Sequence, residues 1–160
     1  MRIPSFKTII ENQFLFLVSD YNFHLIKSYS ENWGCVSVYL NNVVGVKITY
    51  EYREAYLFIM LYKLIDGKLV ENPIKINLNS DLNGYSLDDV IKLRNPADLV
   101  KPAYEYGSKS EFYDEKNGLT LFVSIFANNL KKYASDILHG DFSLFEKLDI
   151  IVKDRVKNIP

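Results

Sequence analysis

His24 and Cys35 are the residues closest to a nucleophilic pair, because neighbouring predicted strands carry them. Such a pair requires a thiolate and a base held against it. His24 stands between Phe23 and Leu25, and Cys35 between Gly34 and Val36. Ordinary sheet packing accounts for both more simply. The chain has only two histidines and one cysteine, set far apart, so no zinc-type ligand spacing exists and no metal is expected. Glu51, Arg53, Glu54 and Tyr56 form a richer cluster. Opposed across a substrate, the two glutamates would serve as acid and base, with Arg53 binding an anion. A charged hairpin end beside packed tyrosines is the plainer reading. Asp88-Asp89 invites a metal or catalytic-carboxylate hypothesis, yet Ser86-Leu87-Asp88-Asp89 reads as a capping box, where acidic residues favour a helix start. Asp136, Asp141 and Asp149 fall near expected helix ends and solvated faces. No phosphate-binding loop, dinucleotide glycine motif, HExxH or GxSxG occurs, and no cofactor is expected.

Recognition chemistry is better supplied than catalysis. Tyr104, Tyr106, Phe112 and Tyr113 are interspersed with Lys101, Glu105 and Lys109. Aromatic rings with charged edges suit a protein interface, since a tyrosine buries its ring and keeps its hydroxyl available. Packing of the same segment onto its own sheet, or a solvated loop, is the competing reading.

The elements that must carry these residues follow from periodicity. Phe6, Ile9, Ile10, Phe14, Leu17 and Val18 predict a helix over residues 5–19, with Pro4 near its start. Residues 23–29 and 34–40 predict two strands about a turn at Ser30-Glu31-Asn32. Val44, Val46, Ile48 and Tyr50 alternate with Lys47, Thr49 and Glu51, the clearest strand pattern in the chain. Residues 55–65 are apolar on both strand faces, which favours a central strand covered on both sides, with a helix as the competing reading because Leu and Met also permit it. Asp66-Gly67 then suits a tight primed turn. Leu69-Val70 or Ile74 to Leu78 would extend or edge the sheet. A short helix is expected from Ser86 to Asn95-Pro96. Leu119 to Leu138 trace one helical stripe that Gly140 ends, and Ser143-Leu144-Phe145-Glu146 resembles a second capping box. The last two helices are expected to form an antiparallel hairpin. The fold class expected is α+β: one domain over residues 1–160, with a four- or five-stranded antiparallel sheet packed by an N-terminal helix and a C-terminal helical hairpin.

Bulk properties narrow the partners. Nineteen basic and twenty acidic residues leave a net charge of -1, which argues against broad phosphate binding, so a nucleic-acid partner is not expected. The apolar run Phe14 to Val18 is too short to span a membrane and no cleavage signal follows it, so no membrane association is expected. A lone cysteine fits a reducing cytoplasm.

The segment Tyr133-Ala134-Ser135-Asp136-Ile137-Leu138-His139-Gly140-Asp141-Phe142-Ser143-Leu144-Phe145-Glu146-Lys147-Leu148 resembles a pattern in small bacterial α+β proteins. Phe16-Leu17-Val18-Ser19-Asp20-Tyr21-Asn22-Phe23, followed by aromatic antiparallel strands, is similar to the same group, which includes candidate immunity proteins of toxin systems. The resemblance implies a cytoplasmic protein-interaction domain that occludes a partner, and it carries over no individual residue. The alternative is a small hydrolase or transferase using Glu51, Arg53, Glu54 and Tyr56. A deep pocket collecting those four would favour the enzyme, and an exposed aromatic patch the binding module. Self-association through helices or strand edges is the further partner expectation.

Overall fold

The computed structural model describes residues 5–159, and its sheet is built on the alternation read above. In β3 (Val44–Glu51), Val44, Val46 and Ile48 are buried, while Lys47 and Thr49 on the other face are half-buried. β1 (His24–Glu31), β2 (Gly34–Leu40), β3, β4 (Tyr56–Lys63) and β5 (Gly84–Ser86) lie side by side in that order, each antiparallel to the next. Ile48 sits opposite Ser37 and Ile59, and Val46 opposite Tyr39 and Leu61, so one continuous face collects the apolar side chains.

Helices cover that face. α1 (Phe6–Gln13) and α2 (Leu15–Tyr21), with Phe14 between them, supply Ile9, Ile10, Phe14, Phe16 and Leu17, and α3 (Leu87–Arg94) supplies Leu87, Val90 and Ile91. α4 (Gly118–Leu138) contributes Phe122, Phe126, Leu130 and Ile137, and α5 (Phe145–Lys157) contributes Leu148. These residues form one contiguous cluster with the strands. Full burial of each large side chain is worth roughly 1.5–3 kcal/mol, so this packing dominates what holds the elements together.

Several expectations are corrected. The N-terminal helix breaks at Phe14 (φ -102°, ψ 15°) and then runs to Tyr21, where Asn22 closes it in the left-handed region (φ 60°). The break has a geometric reason. Two residues advance an unbroken helix by about 200°, which would aim Phe16 away from the face that buries Phe14; the pivot buries both. Ser5 caps α1, its Oγ accepting from Thr8 N at 3.2 Å, while Pro4 lies outside the described residues. β1 continues to Glu31, so the turn contracts to Asn32-Trp33.

β4 is central but not covered on both faces: Phe58 stays 40% exposed and Met60 half-buried. Asp66 and Gly67 do adopt the two positive φ values (51° and 76°) of a primed turn, closed by the Ile65–Lys68 bridge. Neither Leu69-Val70 nor Ile74–Leu78 joins the sheet; the fifth strand is Gly84–Ser86. Ser86 caps α3 through Asp89 N (3.1 Å), but the Asp89 carboxylate turns to Arg155 instead of completing a box. Ser143 does not cap α5, because both its backbone N–H and its hydroxyl donate to Asp141. α4 is kinked at Ala134 (φ -125°), and the polar anchors of α5 run to β5 and α3.

Candidate interaction surface

Three separate stretches of chain meet at one end of the sheet. The turn after β1 presents Asn32-Trp33, and the turn after β3 presents Tyr52 to Ala55. Tyr52 N donates to Trp33 O at 2.9 Å, which ties the two tips together. Ala55, held at φ 49°, accepts at its carbonyl from Ala103 N (3.1 Å) and so attaches the third stretch. That stretch contains the 3-10 turns Ala103–Tyr106 and Glu111–Tyr113.

The predicted aromatic residues divide by what they touch. Phe112 packs inward on Phe122 of α4, with ring centroids 5.2 Å apart, and Tyr106 lies edge-on against Phe112 at 5.0 Å. Tyr106 also accepts from Lys101 N through its hydroxyl (3.0 Å), which stiffens the loop. Tyr104 and Tyr113 turn outward. Trp33 and Tyr52, absent from the sequence-derived candidates, join them at the same end. These five tyrosine and tryptophan side chains are between 41% and 52% exposed. Their shared location was hidden because they lie on three loops, two joined by sheet register and the third by the Ala103–Ala55 backbone bond.

The Glu51, Arg53, Glu54 and Tyr56 cluster is divided. Glu51, Arg53 and Glu54 line an open cleft of about 440 Å³ with Asn32, Trp33 and Tyr52. Tyr56 is absent from it. Its ring is buried edge-on against Phe126 at 5.1 Å, and its hydroxyl points the other way, toward Asp88 and Val100. His24 and Cys35 are also kept apart. His24 pairs with Leu40 and Cys35 with Ser30, at opposite ends of the β1–β2 hairpin and on opposite faces. Burial pushes the Cys35 thiol up to about 11, away from thiolate chemistry.

A second polar cluster surrounds the start of α3. Tyr56 Oη lies 3.0 Å from each Asp88 carboxyl oxygen and 2.9 Å from Val100 O. A phenol has one proton to give, and an ionised carboxylate and a carbonyl only accept. All three groups are satisfied when Asp88 carries a proton and donates to Tyr56, which then donates to Val100. Burial raises the Asp88 pKa, against the lowering influence of the Tyr56 bond and Lys92. Desolvation and the neighbouring Asp88 likewise hold the Tyr56 phenol well above its usual range. Asp89 is only 3% exposed and receives both Arg155 nitrogens, at 2.9 and 2.7 Å. Phe58, Met60, Lys92 and Val152 complete a depression of about 310 Å³ beside these groups.

Asp136 and Asp149 hold elements together. Asp136 takes a bidentate contact from Arg94 (2.9 and 2.7 Å), which keeps its carboxyl below the usual range. Asp149 accepts from Tyr85 at 2.7 Å and from Lys153 at 3.1 Å. Among the described residues no three His, Cys, Asp or Glu side chains gather as metal ligands, and no helix is long and apolar enough to cross a membrane. Comparison of the chain with family models, curated proteins and solved structures gives no match.

Proposed function

We propose that this protein is a cytoplasmic interaction domain that occludes a protein partner with its aromatic end, in the manner of an immunity protein. The observation that carries the reading is the exposure of Trp33, Tyr52, Tyr104 and Tyr113 on turns joined by backbone bonds at one end, while the Tyr56 hydroxyl is withdrawn from the Glu51–Arg53–Glu54 cleft. Large aromatic side chains on ordered turns are the residues that dominate protein interfaces, because they bury much area at little cost in conformational entropy. The backbone bonds Tyr52 N to Trp33 O and Ala103 N to Ala55 O preorganise that surface, which reduces the ordering cost of association.

Charge gives the partner a character. Glu31, Glu51, Glu54, Glu105, Glu111, Asp114 and Glu115 outnumber Arg53, Lys101, Lys109 and Lys116 in the three contributing stretches. An acidic border disfavours a phosphate backbone and favours a basic protein surface, whose approach it would accelerate.

The test is affinity capture from cells of the source organism. The tagged wild type is compared with the triple variant Trp33→Ala/Tyr52→Ala/Tyr104→Ala, after equal thermal midpoints show that both are folded. A stoichiometric protein retained by the wild type is expected to be lost from the variant. Losing three interface anchors at about 1–2 kcal/mol each, about 3 kcal/mol or more together, corresponds to at least about a hundredfold weakening. Equal retention by both proteins overturns the reading. So does turnover of a small substrate that Glu51→Gln or Glu54→Gln abolishes without unfolding the chain.

A further inference from the structure

The two edges of the sheet are finished differently. At β5 the side chain of Asn72 does what another strand would do. Its amide donates to Gly84 O (2.8 Å), and its carbonyl accepts from Asn83 N (2.9 Å) and Gly84 N (3.3 Å). β1 has no such cover. It pairs with β2 alone, and among the described residues no other backbone hydrogen bond reaches positions 24–31. An uncovered eight-residue strand offers a row of N–H and C=O groups to another strand.

The residues of β1 specify which strand fits. Pairing with β2 slips at Ile26 and is regular from Lys27 to Glu31. In that regular stretch Lys27, Tyr29 and Glu31 point to one face, and Ser28 and Ser30 to the other. Residues opposed in an antiparallel ladder share a face, so two identical copies must be centred on a residue. Centring on Tyr29 sets Lys27 against Glu31 of the second copy, Ser28 against Ser30, and Tyr29 against itself. Each of these pairings is favourable across strands. Centring on Lys27 or on Glu31 opposes like charges, and the two serine-centred registers set no opposite charges face to face. Lys27 already rests 5.0 Å over the Tyr29 ring, and neither Lys27 nor Glu31 takes part in an ion pair within the described residues.

We propose that two copies of this chain associate through antiparallel β1–β1 pairing centred on Tyr29, which joins their sheets into one. The Lys27–Glu31 contact then occurs twice, once on each side of the two-fold axis, and the two aromatic ends point in opposite directions. This inference rests on the strand edge and is independent of the reading of the aromatic end.

Light scattering coupled to size-exclusion chromatography over a concentration series tests it. The wild type is expected to move from monomer to dimer mass as concentration rises. Lys27→Glu and Glu31→Lys, both at exposed positions, are each expected to weaken association by about tenfold or more, since each puts two like-charge pairs where two attractive ones stood. The double reversal Lys27→Glu/Glu31→Lys restores the attraction and is expected to restore the dimer. Tyr29→Cys supplies a second readout. Opposed Cα atoms lie about 4.5–5.5 Å apart, within disulfide reach, so the variant should cross-link to itself on oxidation. Buried Cys35, with its thiol pushed up to about 11, provides no competing nucleophile. A monomer at every concentration, single reversals that leave the dimer intact, or a Tyr29→Cys dimer that fails to cross-link each overturns the proposal.

Discussion

Asp88 and Asp89 are adjacent in the chain and are held in opposite ways. Burial raises the Asp88 pKa and outweighs the bond from Tyr56, so the folded state holds the proton more readily than the unfolded chain does. A carboxyl whose folded pKa is raised loses its stabilising proton as the pH climbs through that value. Folded stability therefore declines from about pH 4, the ordinary aspartate range, up to the raised value. Asp88→Asn, whose amide can donate permanently to Tyr56, is expected to have a higher thermal midpoint than wild type at pH 7. That advantage should shrink as the pH falls toward 4, which a pH series of thermal melts measures. Asp89 instead keeps its charge company with Arg155. Arg155→Ala leaves an almost fully buried carboxylate without its cation and should cost about 3 kcal/mol. The double variant Asp89→Ala/Arg155→Ala should cost less than Arg155→Ala alone, by denaturant titration. The Ser86 cap was legible because its residues are neighbours; the Arg155 partner, 66 positions away, was not.

At the level of elements, legibility tracked how far each signal extends. β3 declared itself by strict alternation over eight residues, and the Asp66-Gly67 turn by residues that tolerate positive φ. β5 has three residues, too few to display a period, while Ile74–Leu78 alternates well and still stays outside the sheet. The break at Phe14 was invisible because two phenylalanines two apart fit a helix stripe only after the chain pivots. Close approach of strands is the other hidden constraint. A Cβ on Gly34 would stand 1.9 Å from Tyr50 O, so β2 can begin beside β3 only with glycine there. Gly34→Ala is expected to push the two strands apart beneath the Trp33 and Tyr52 tips and to destabilise the fold by about 1–3 kcal/mol. Thermal melting measures that loss, and added hydrogen exchange at residues 32–36 and 49–52 would localise it.

The whole molecule divides its labour by face, edge and end. One face of the sheet carries the helices and a single contiguous core. Among the described residues one edge strand pairs on one side alone, and one end carries exposed aromatic side chains on its turns. The fold class followed from patterning, since alternating strands and helical stripes each leave an apolar face that the other must cover. The candidate surface was half legible: Tyr104 to Tyr113 are close in the sequence, whereas Trp33 and Tyr52 come to the same end only through hairpin register. Recognition by the aromatic end is tested most directly by where a bound partner touches. Hydrogen exchange of the captured complex against the free protein measures that contact. Slowed exchange should fall on residues 32–33, 52–55 and 101–113. Slowing confined instead to the depression lined by Asp88, Lys92 and Arg155, with the aromatic end unchanged, would contradict it.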